Sequence, residues 1–422
     1  MKDKSRKIVI SIIMVITIIG VFFLGYFSRD IFLDKELRET YNFLQTYKNY
    51  YFYESEGSLV KDISEAILDD YSEYFTKEEY ERERAESFGN MAGIGLSFLG
   101  ENLKIYKVAG NSPAKNAGIK SGGVLTEIDT GSGYSPLTDY NSFNVKYSLV
   151  QNNQEIGLKV NYDGTIKEYR LKRSEYKRTY VEYMDSVGHY LFTDKDGEMK
   201  LVKSDDETTI LNDSVGYIRY ESFNGKDDGI TGSAGQIEEV LKKFKNDNKK
   251  NLIFDLRGNG GGYLSILCDI APHFIDGDES KNNLVAYSVD KNNKRENYYA
   301  KGSDFSSYNF ENIIILADRN SASASEAFIG AVLDYDKTNI VKVLVSSSME
   351  NGEKVYKTYG KGIMQNTFKH LDGSAVKLTV AEIFWPKSQT CIHKKGIVGL
   401  DSGKILKVES ENSLELALNL CN

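Results

Sequence analysis

Proline, cysteine, histidine and tryptophan are scarce: 4 Pro, 3 Cys, 4 His and 1 Trp in 422 residues. Four prolines exclude Pro-rich linkers. Cys268, Cys391 and Cys421 form neither a disulfide framework nor a C-x-x-C pair, and they read as small buried hydrophobes. His189, His273, His370 and His393 are scattered, with no H-E-x-x-H, so zinc is not expected. Nothing points to another metal or to an organic cofactor. Positive charge is not in surplus either. The net charge of −8 argues against nucleic acid as a partner.

What is present suits a folded protein of two or three domains: 41% hydrophobic residues and 27% charged residues of both signs. The N-terminus carries a distinct signal. Lys2, Lys4, Arg6 and Lys7 precede an uncharged apolar run, Ile8–Phe27, closed by Arg29 and Asp30. About 20 helical residues span roughly 30 Å, the hydrocarbon thickness of a bilayer. Basic residues ahead of the span place the N-terminus inside and the rest of the chain outside. A cleaved signal peptide would have a shorter apolar region and an A-x-A-like site, and none lies near Gly25–Ser28. The expectation is a single-pass cell-membrane protein with an uncleaved anchor within residues 1–30.

Residues 31–88 read as helical. Leu59, Ile63, Ala66 and Ile67 share helical spacing, Thr76 with Glu79 suits a capping box, and Tyr41–Tyr53 packs as ordinary core. Residues 89–175 change to short strands. Gly93–Phe98, Leu103–Val108 and Val124–Ile128 are strands, Ser112-Pro113-Ala114 opens a short helix ending at Gly118, and Ser142–Val150 is a helix. Ile156–Val160 and Lys167–Leu171 close a hairpin around Asp163-Gly164. Residues 176–214 read as a polar linker with some strand content and loops at Asp194–Gly197 and Ser204–Thr208. From Val215 to about 405 the pattern is α/β, and 406–422 form a C-terminal segment. Here Val215–Tyr220, Asn251–Leu256 and Ile313–Ala317 are strands, while Thr231–Lys245, Leu264–Phe274 and Ser323–Tyr335 are helices.

Two turns in this last part join a strand to a helix: Asp255–Gly262, rich in glycine, and Asp318–Glu326, which contains Ser321-Ala322-Ser323-Ala324-Ser325. Both aim backbone N–H groups outward at a helix N-terminus, where negative charge is favoured. Such a turn can hold an oxyanion or a phosphate, but neither matches the P-loop or dinucleotide spacing. A lysine between glycines follows, in Tyr359-Gly360-Lys361-Gly362-Ile363-Met364-Gln365. Read alone it is a turn lysine.

The two turns and this segment together resemble the C-terminal processing peptidase family of serine proteases. Asp70–Phe75 and Gly93–Leu96 look like the family's helical entry into a PDZ domain, and Ser112-Pro113-Ala114 with Ala117-Gly118 like its PDZ core. Gly216-Tyr217-Ile218, Asp255–Gly262, Ser321–Glu326, Gly360–Gln365 and Lys377–Ala381 are similar to successive blocks of its protease core. The resemblance implies a multidomain α+β protein with a transmembrane helix, a helical segment, a PDZ-like β domain at 89–175 and an α/β protease core at 215–405. It implies an endopeptidase with Ser323 as nucleophile, Lys361 as general base and Gln365 orienting the amine. Ala324 N–H and a glycine of the first turn, Gly261 or Gly262, would form the oxyanion hole. Gly93, Ile94, Gly95 and Leu96 would bind apolar C-terminal tails of polypeptide substrates, and the PDZ-like part would gate the active site. Asp334 matches an acidic position in some members and reads first as a structural helix residue. A homo-oligomer is left open. The competing readings are an inactive PDZ scaffold and a Ser–Lys hydrolase of a non-peptide amide.

Two departures from the family pattern stand out. Lys337–Thr358 is longer than usual, with Val341–Val345 and Glu353–Tyr356 expected as an extra hairpin around Glu350-Asn351-Gly352. Gly122-Gly123 replaces Gly-Asp. A free lysine has a pKa of about 10.4, so a useful base at pH 7 needs a drop of about 3 units, roughly 4 kcal/mol. Burial can supply it.

Overall fold

A computed structural model describes residues 35–50 and 58–422, apart from 100–101, 196–197, 205–207, 211 and 226–228. The expected anchor, Ile8–Phe27, lies outside the described residues, as do parts of the loops expected at Asp194–Gly197 and Ser204–Thr208. Among the described residues no helix is long and apolar enough to cross a membrane.

The chain divides after Ile67 into two compact units. The first holds helices α1 (Lys35–Tyr50) and α2 (Leu59–Ile67). The segment expected to be helical through residue 88 is interrupted by a strand and crosses this division. Strand β1 (Glu73–Phe75) and helix α3 (Lys77–Ser87) belong to the second unit. Thr76 and Glu79 do form the reciprocal capping box that starts α3.

Next come β2 (Asn90–Gly93), β3 (Leu96–Leu99), β4 (Lys104–Val108), α4 (Pro113–Asn116), β5 (Val124–Asp129), β6 (Tyr134–Pro136), α5 (Tyr140–Ser148), β7 (Glu155–Tyr162), β8 (Thr165–Lys172) and β9 (Ser174–Lys177). Strands β3-β4-β5-β7-β8 form one sheet, with β6 against β5. Ile105, Leu125, Ile128, Phe143, Ile156 and Leu158 fill its own buried core. The β7–β8 hairpin turns at Asp163 and Gly164, both at positive φ as a two-residue turn requires. The strand expected over Gly93–Phe98 is broken at Ile94-Gly95, where Gly95 has φ +79° and leaves no room for a side chain beside Ser112. Strands β2 and β9 pair from Asn90↔Lys177 to Gly93↔Ser174, so the chain enters and leaves this part through one ladder.

The stretch read as a linker is part of a sheet. It supplies β10 (Val181–Met184), β11 (His189–Lys195) and β12 (Glu198–Lys203). These continue into β13 (Val215–Tyr220), α6 (Ser233–Asn246), β14 (Asn251–Asp255), α7 (Leu264–Ile270), β15 (Asn282–Asp290), β16 (Arg295–Lys301), β17 (Asn312–Ala317), α8 (Ala324–Tyr335) and β18 (Val341–Ser346). Then follow β19 (Ser348–Glu350), β20 (Glu353–Val355), β21 (Ile363–Lys369), β22 (Ala375–Phe384), β23 (Ile405–Val408) and α9 (Ser413–Leu420).

The large sheet runs β12-β11-β10-β13-β14-β17-β18-β23, parallel from β13 to β23 and antiparallel at the β12 end. Parallel strands covered on both faces need unbroken apolar runs, and Leu252-Ile253-Phe254 and Ile313-Ile314-Ile315-Leu316 supply them. Alternate residues point to opposite sides. Ile313 and Ile315 meet Phe328 and Val332 of α8, while Ile314 and Leu316 share a cluster with Ala417 of α9. Val341–Val345 belongs to this sheet as β18 and not to a hairpin. The extra hairpin is β19–β20, turning at Asn351-Gly352. A second sheet, β1-β22-β15-β16 with β21 on β22, stands beside the first.

Candidate active site

In a parallel sheet the turns after neighbouring strands emerge at the same edge, where α/β proteins place their sites. Strands β14 and β17 are such neighbours, and their turns are stitched together. Leu256 N–H donates to Leu316 O at 2.9 Å and Ala322 N–H to Asn259 O at 3.0 Å. Gly258 N–H donates to Asp318 Oδ1 at 3.0 Å. Two serines of the small-residue tract are used in this seam: Ser321 Oγ donates to Leu256 O at 2.8 Å and Ser325 Oγ to Asn259 O at 2.9 Å. Both are fully buried. The middle serine, Ser323, is only half-buried and faces a cleft. Its backbone sits at φ +55°, ψ −115°, a conformation that a non-glycine residue adopts only where its surroundings impose it.

Glu326 imposes part of it. The side chain is fully buried, and Oε2 accepts from Ser323 N–H at 3.0 Å and from Lys361 N–H at 2.9 Å. Oε1 accepts from Gly360 N–H at 2.8 Å and from Thr358 Oγ1. One carboxylate thus joins the turn of Ser323 to the loop of Lys361. Burial pushes its carboxyl pKa up, while the four donors pull the other way. No role was assigned to Glu326 from sequence. The available signal was the S-x-x-E spacing of Ser323 and Glu326, a capping-box pattern.

Lys361 leads into β21. Gly360, at φ +85°, and Gly362 let its loop pass against residues 393–396; a side chain on either would strike that backbone within 3 Å. Lys361, Gln365 and Ser323 line one cleft of about 640 Å³, along with Gly260, Gly261 and Gly262. The Lys361 amine lies 4.9 Å above the ring centre of Tyr71. Its pKa is lowered by burial and then by the neighbouring Lys377 charge, with Asp69 opposing. Gln365 Nε2 donates to Thr379 Oγ1 at 3.1 Å, which in turn donates to Asp69 Oδ1 at 3.2 Å. That leaves Gln365 Oε1 as its atom able to accept a hydrogen bond from an ammonium.

The backbone donors expected to hold an oxyanion differ in how they are used. Ala324 N–H opens α8 and has no acceptor among the described residues, as expected of a first-turn donor. Gly261 N–H, however, is turned inward to Asn259 Oδ1 at 2.9 Å. Gly262, the other glycine considered, has an N–H with no acceptor among the described residues. Gly261 still matters by its bareness. At φ +93°, a Cβ there would lie 2.6 Å from Ala322 O, 2.7 Å from Ala324 N and 2.9 Å from Ser323 Cβ. The variant Gly261→Ala should therefore lose at least 100-fold in kcat/KM by displacing the serine turn. Steady-state kinetics on a folded variant checks this.

Gly93, Ile94, Gly95 and Leu96 lie apart from this cleft. They line a groove of about 570 Å³ between β3 and α5. Phe98 packs edge-on to Phe143 at 5.1 Å, and Phe143 stacks on Tyr147 at 5.1 Å, so one wall is aromatic. Lys107, also on this groove, pairs with Glu221 at 2.6 Å. Asp334 does not line the catalytic cleft. Its Oδ2 accepts from Lys387 N–H, Ser388 N–H and Ser388 Oγ, which fixes the loop after β22. All three cysteines are free. Among the described residues, no cluster of His, Cys, Asp and Glu could hold a metal ion.

Comparison with known proteins finds this core similar to serine proteases. Residues 214–399 match the family model described as Peptidase family S41. The match agrees with the resemblance to C-terminal processing peptidases. Two relatives carry the name "Probable CtpA-like serine protease". The Staphylococcus saprophyticus protein is 27% identical over 369 residues, covering 86% of this chain and 64% of its own length. The protein of Staphylococcus aureus strain bovine RF122 is 28% identical over 401 residues, covering 92% and 69%. The chain thus spans about two thirds of the length of these relatives. A crystal structure of a Bacteroides fragilis protein described as an S41 protease aligns with a TM-score of 0.50 at 15% identity, covering 87% of this chain and 86% of that one. It supports the fold.

Proposed function

We propose that this chain is a membrane-anchored serine endopeptidase whose catalytic part lies outside the cytoplasm. The observation that carries the reading is the pairing, on one cleft, of a strained serine at a helix N-terminus with a half-buried lysine of lowered pKa. In the first step Ser323 Oγ attacks a peptide carbonyl carbon and its proton passes to the Lys361 amine. The carbonyl oxygen takes the negative charge and accepts hydrogen bonds from the N–H groups of Ala324 and Gly262. As the C–N bond breaks, the Lys361 ammonium returns the proton to the leaving amine, and an ester remains on Ser323. Water then attacks the ester, giving its proton to Lys361; as the ester C–O bond breaks, the ammonium returns that proton to Ser323 Oγ and the acid is released. Gln365 Oε1 holds the amine in line. The S41 match and the names of the relatives favour a polypeptide substrate.

The groove at Gly93–Leu96 suits PDZ-like capture of an apolar C-terminal tail, which adds to β3 as a strand while its carboxylate meets loop N–H groups. The basic N-terminus and the Ile8–Phe27 run support the anchor and the extracytoplasmic placement.

The test compares the full chain with Ser323→Ala on an unfolded polypeptide. Cleavage by the parent alone supports the reading. No cleavage by either, with C-terminal peptides still bound, points to a scaffold. Excising 94–173, between the paired Gly93 and Ser174, and closing the gap with a short Gly linker is expected to change substrate choice or basal rate. Unchanged cleavage across a substrate panel would remove the gating role.

A further inference from the structure

Tyr71 is far from Lys361 in sequence, yet its ring is the contact of the Lys361 amine, 4.9 Å from the ring centre. The segment that brings it there is firmly held. Strand β1 pairs with β22 from Glu73↔Lys377 to Phe75↔Ala375. Just ahead of it, Thr379 N–H donates to Ser72 Oγ at 2.9 Å, and Tyr71 N–H donates to Asp69 Oδ1 at 2.8 Å. That same Asp69 oxygen takes the Thr379 hydroxyl, whose own acceptor role is filled by Gln365 Nε2. One chain, Gln365–Thr379–Asp69–Tyr71, therefore ties the amide near the lysine to the ring under it. From the other side, the Tyr71 hydroxyl meets that of Tyr359 at 3.4 Å, with the rings edge-on. Arg319 lies 4.8 Å over the Tyr359 ring and is held by Glu350 of the extra hairpin at 2.7 Å.

We infer that Tyr71 is a positioning residue for the general base, its ring face holding the Lys361 amine beside the cleft. This rests on the proposed role of Lys361. An aromatic face attracts the ammonium and not the neutral amine, so the ring favours the protonated state. It competes with the desolvation and the Lys377 charge that favour loss of the proton, and acts with Asp69. Glu326 meets the Lys361 backbone, Glu73 pairs with Lys377 at 3.3 Å, and Glu83 and Glu296 line the same cleft as the amine. Tyr71 itself faces Tyr359, Asp70 and Arg319.

The experiment titrates Lys361 directly. The full chain in a Ser323→Ala background is labelled with limiting acetic anhydride between pH 7 and 11, and Lys361 acetylation is read by mass spectrometry. Tyr71→Leu keeps an apolar cover but removes the π face, and should lower the midpoint by roughly 0.5–1 pH unit. Tyr71→Phe should leave it in place. An unchanged or raised midpoint in Tyr71→Leu, or an equal fall in Tyr71→Phe, overturns the inference. If Tyr71→Leu lacks a cooperative thermal transition, Tyr71→Trp decides: a raised midpoint supports the role, an unchanged or lowered one overturns it. The labelling needs no turnover. Full activity of Lys361→Met would sink the Ser–Lys mechanism and leave these midpoints standing as a separate result.

Discussion

Replacing Lys361 with methionine is expected to reduce kcat/KM by about 10³-fold, inside the range of roughly 10²–10⁴ for loss of a positioned general base. Lys361→Arg should be as severe. It preserves length and charge, but a guanidinium does not give up its proton at any usable pH. The pair of variants separates a base from a mere counter-charge, since a counter-charge would survive the arginine. The pH profile adds the sign. The amine acts when neutral, so kcat/KM must rise with pH and level off above the lysine pKa. Burial and Lys377 lower that pKa, so the plateau should begin at a lower pH than a free lysine would give. Lys377→Met should move the rise to higher pH. A parent profile still climbing at pH 10, or a Lys361→Arg variant with near-parental activity, would end the assignment.

The second large effect is expected at Glu326, which reacts with nothing. Glu326→Leu removes the acceptor of three backbone N–H groups and one hydroxyl inside a dry seam. Each buried donor left unpaired costs about 1–3 kcal/mol, so the loops will move apart to find water. Ser323 would lose its imposed backbone geometry and Lys361 its anchor. Since a displacement of 1 Å can cost about 10²-fold, kcat/KM should fall by at least that, together with a lower Tm. Glu326→Gln turns an NH₂ toward donors and should fall between the parent and the leucine variant. Thermal unfolding and kinetics on the same preparations check this. Parental kcat/KM in Glu326→Leu would show that the staple is dispensable.

Much of this site was legible locally. Strand, tight turn and helix were marked by apolar runs, glycines and a small-residue tract, and Ser323 stood in the second turn. The Gly-Lys-Gly segment drew notice through backbone permissiveness. What could not be read depends on partners distant in the chain. Nothing near Glu326 says that Thr358, Gly360 and Lys361 will turn donors toward it. Nothing near Gly261 says that Asn259 will take its N–H. Residues 181–203 look like polar linker because an antiparallel edge needs only alternate apolar residues, such as Val181 and Tyr183, whereas the central strands need continuous ones. Val341–Val345 reads as half of a hairpin because an apolar run of that length does not reveal which sheet will receive it.

The division of labour between the two sheets has a consequence for biosynthesis. Ser323 stands in the turn after β17 of the parallel sheet, whereas Lys361 leads into β21 and Gln365 rides on it, a strand whose ladder partner is β22, ending at Phe384. A nascent chain emerging N-terminus first displays its serine long before the strand that steadies its lysine has been made. On the proposed Ser–Lys mechanism it is until then inert toward itself and toward neighbours still unfolded around it, and hydrolytic power arrives only once β22 has been made.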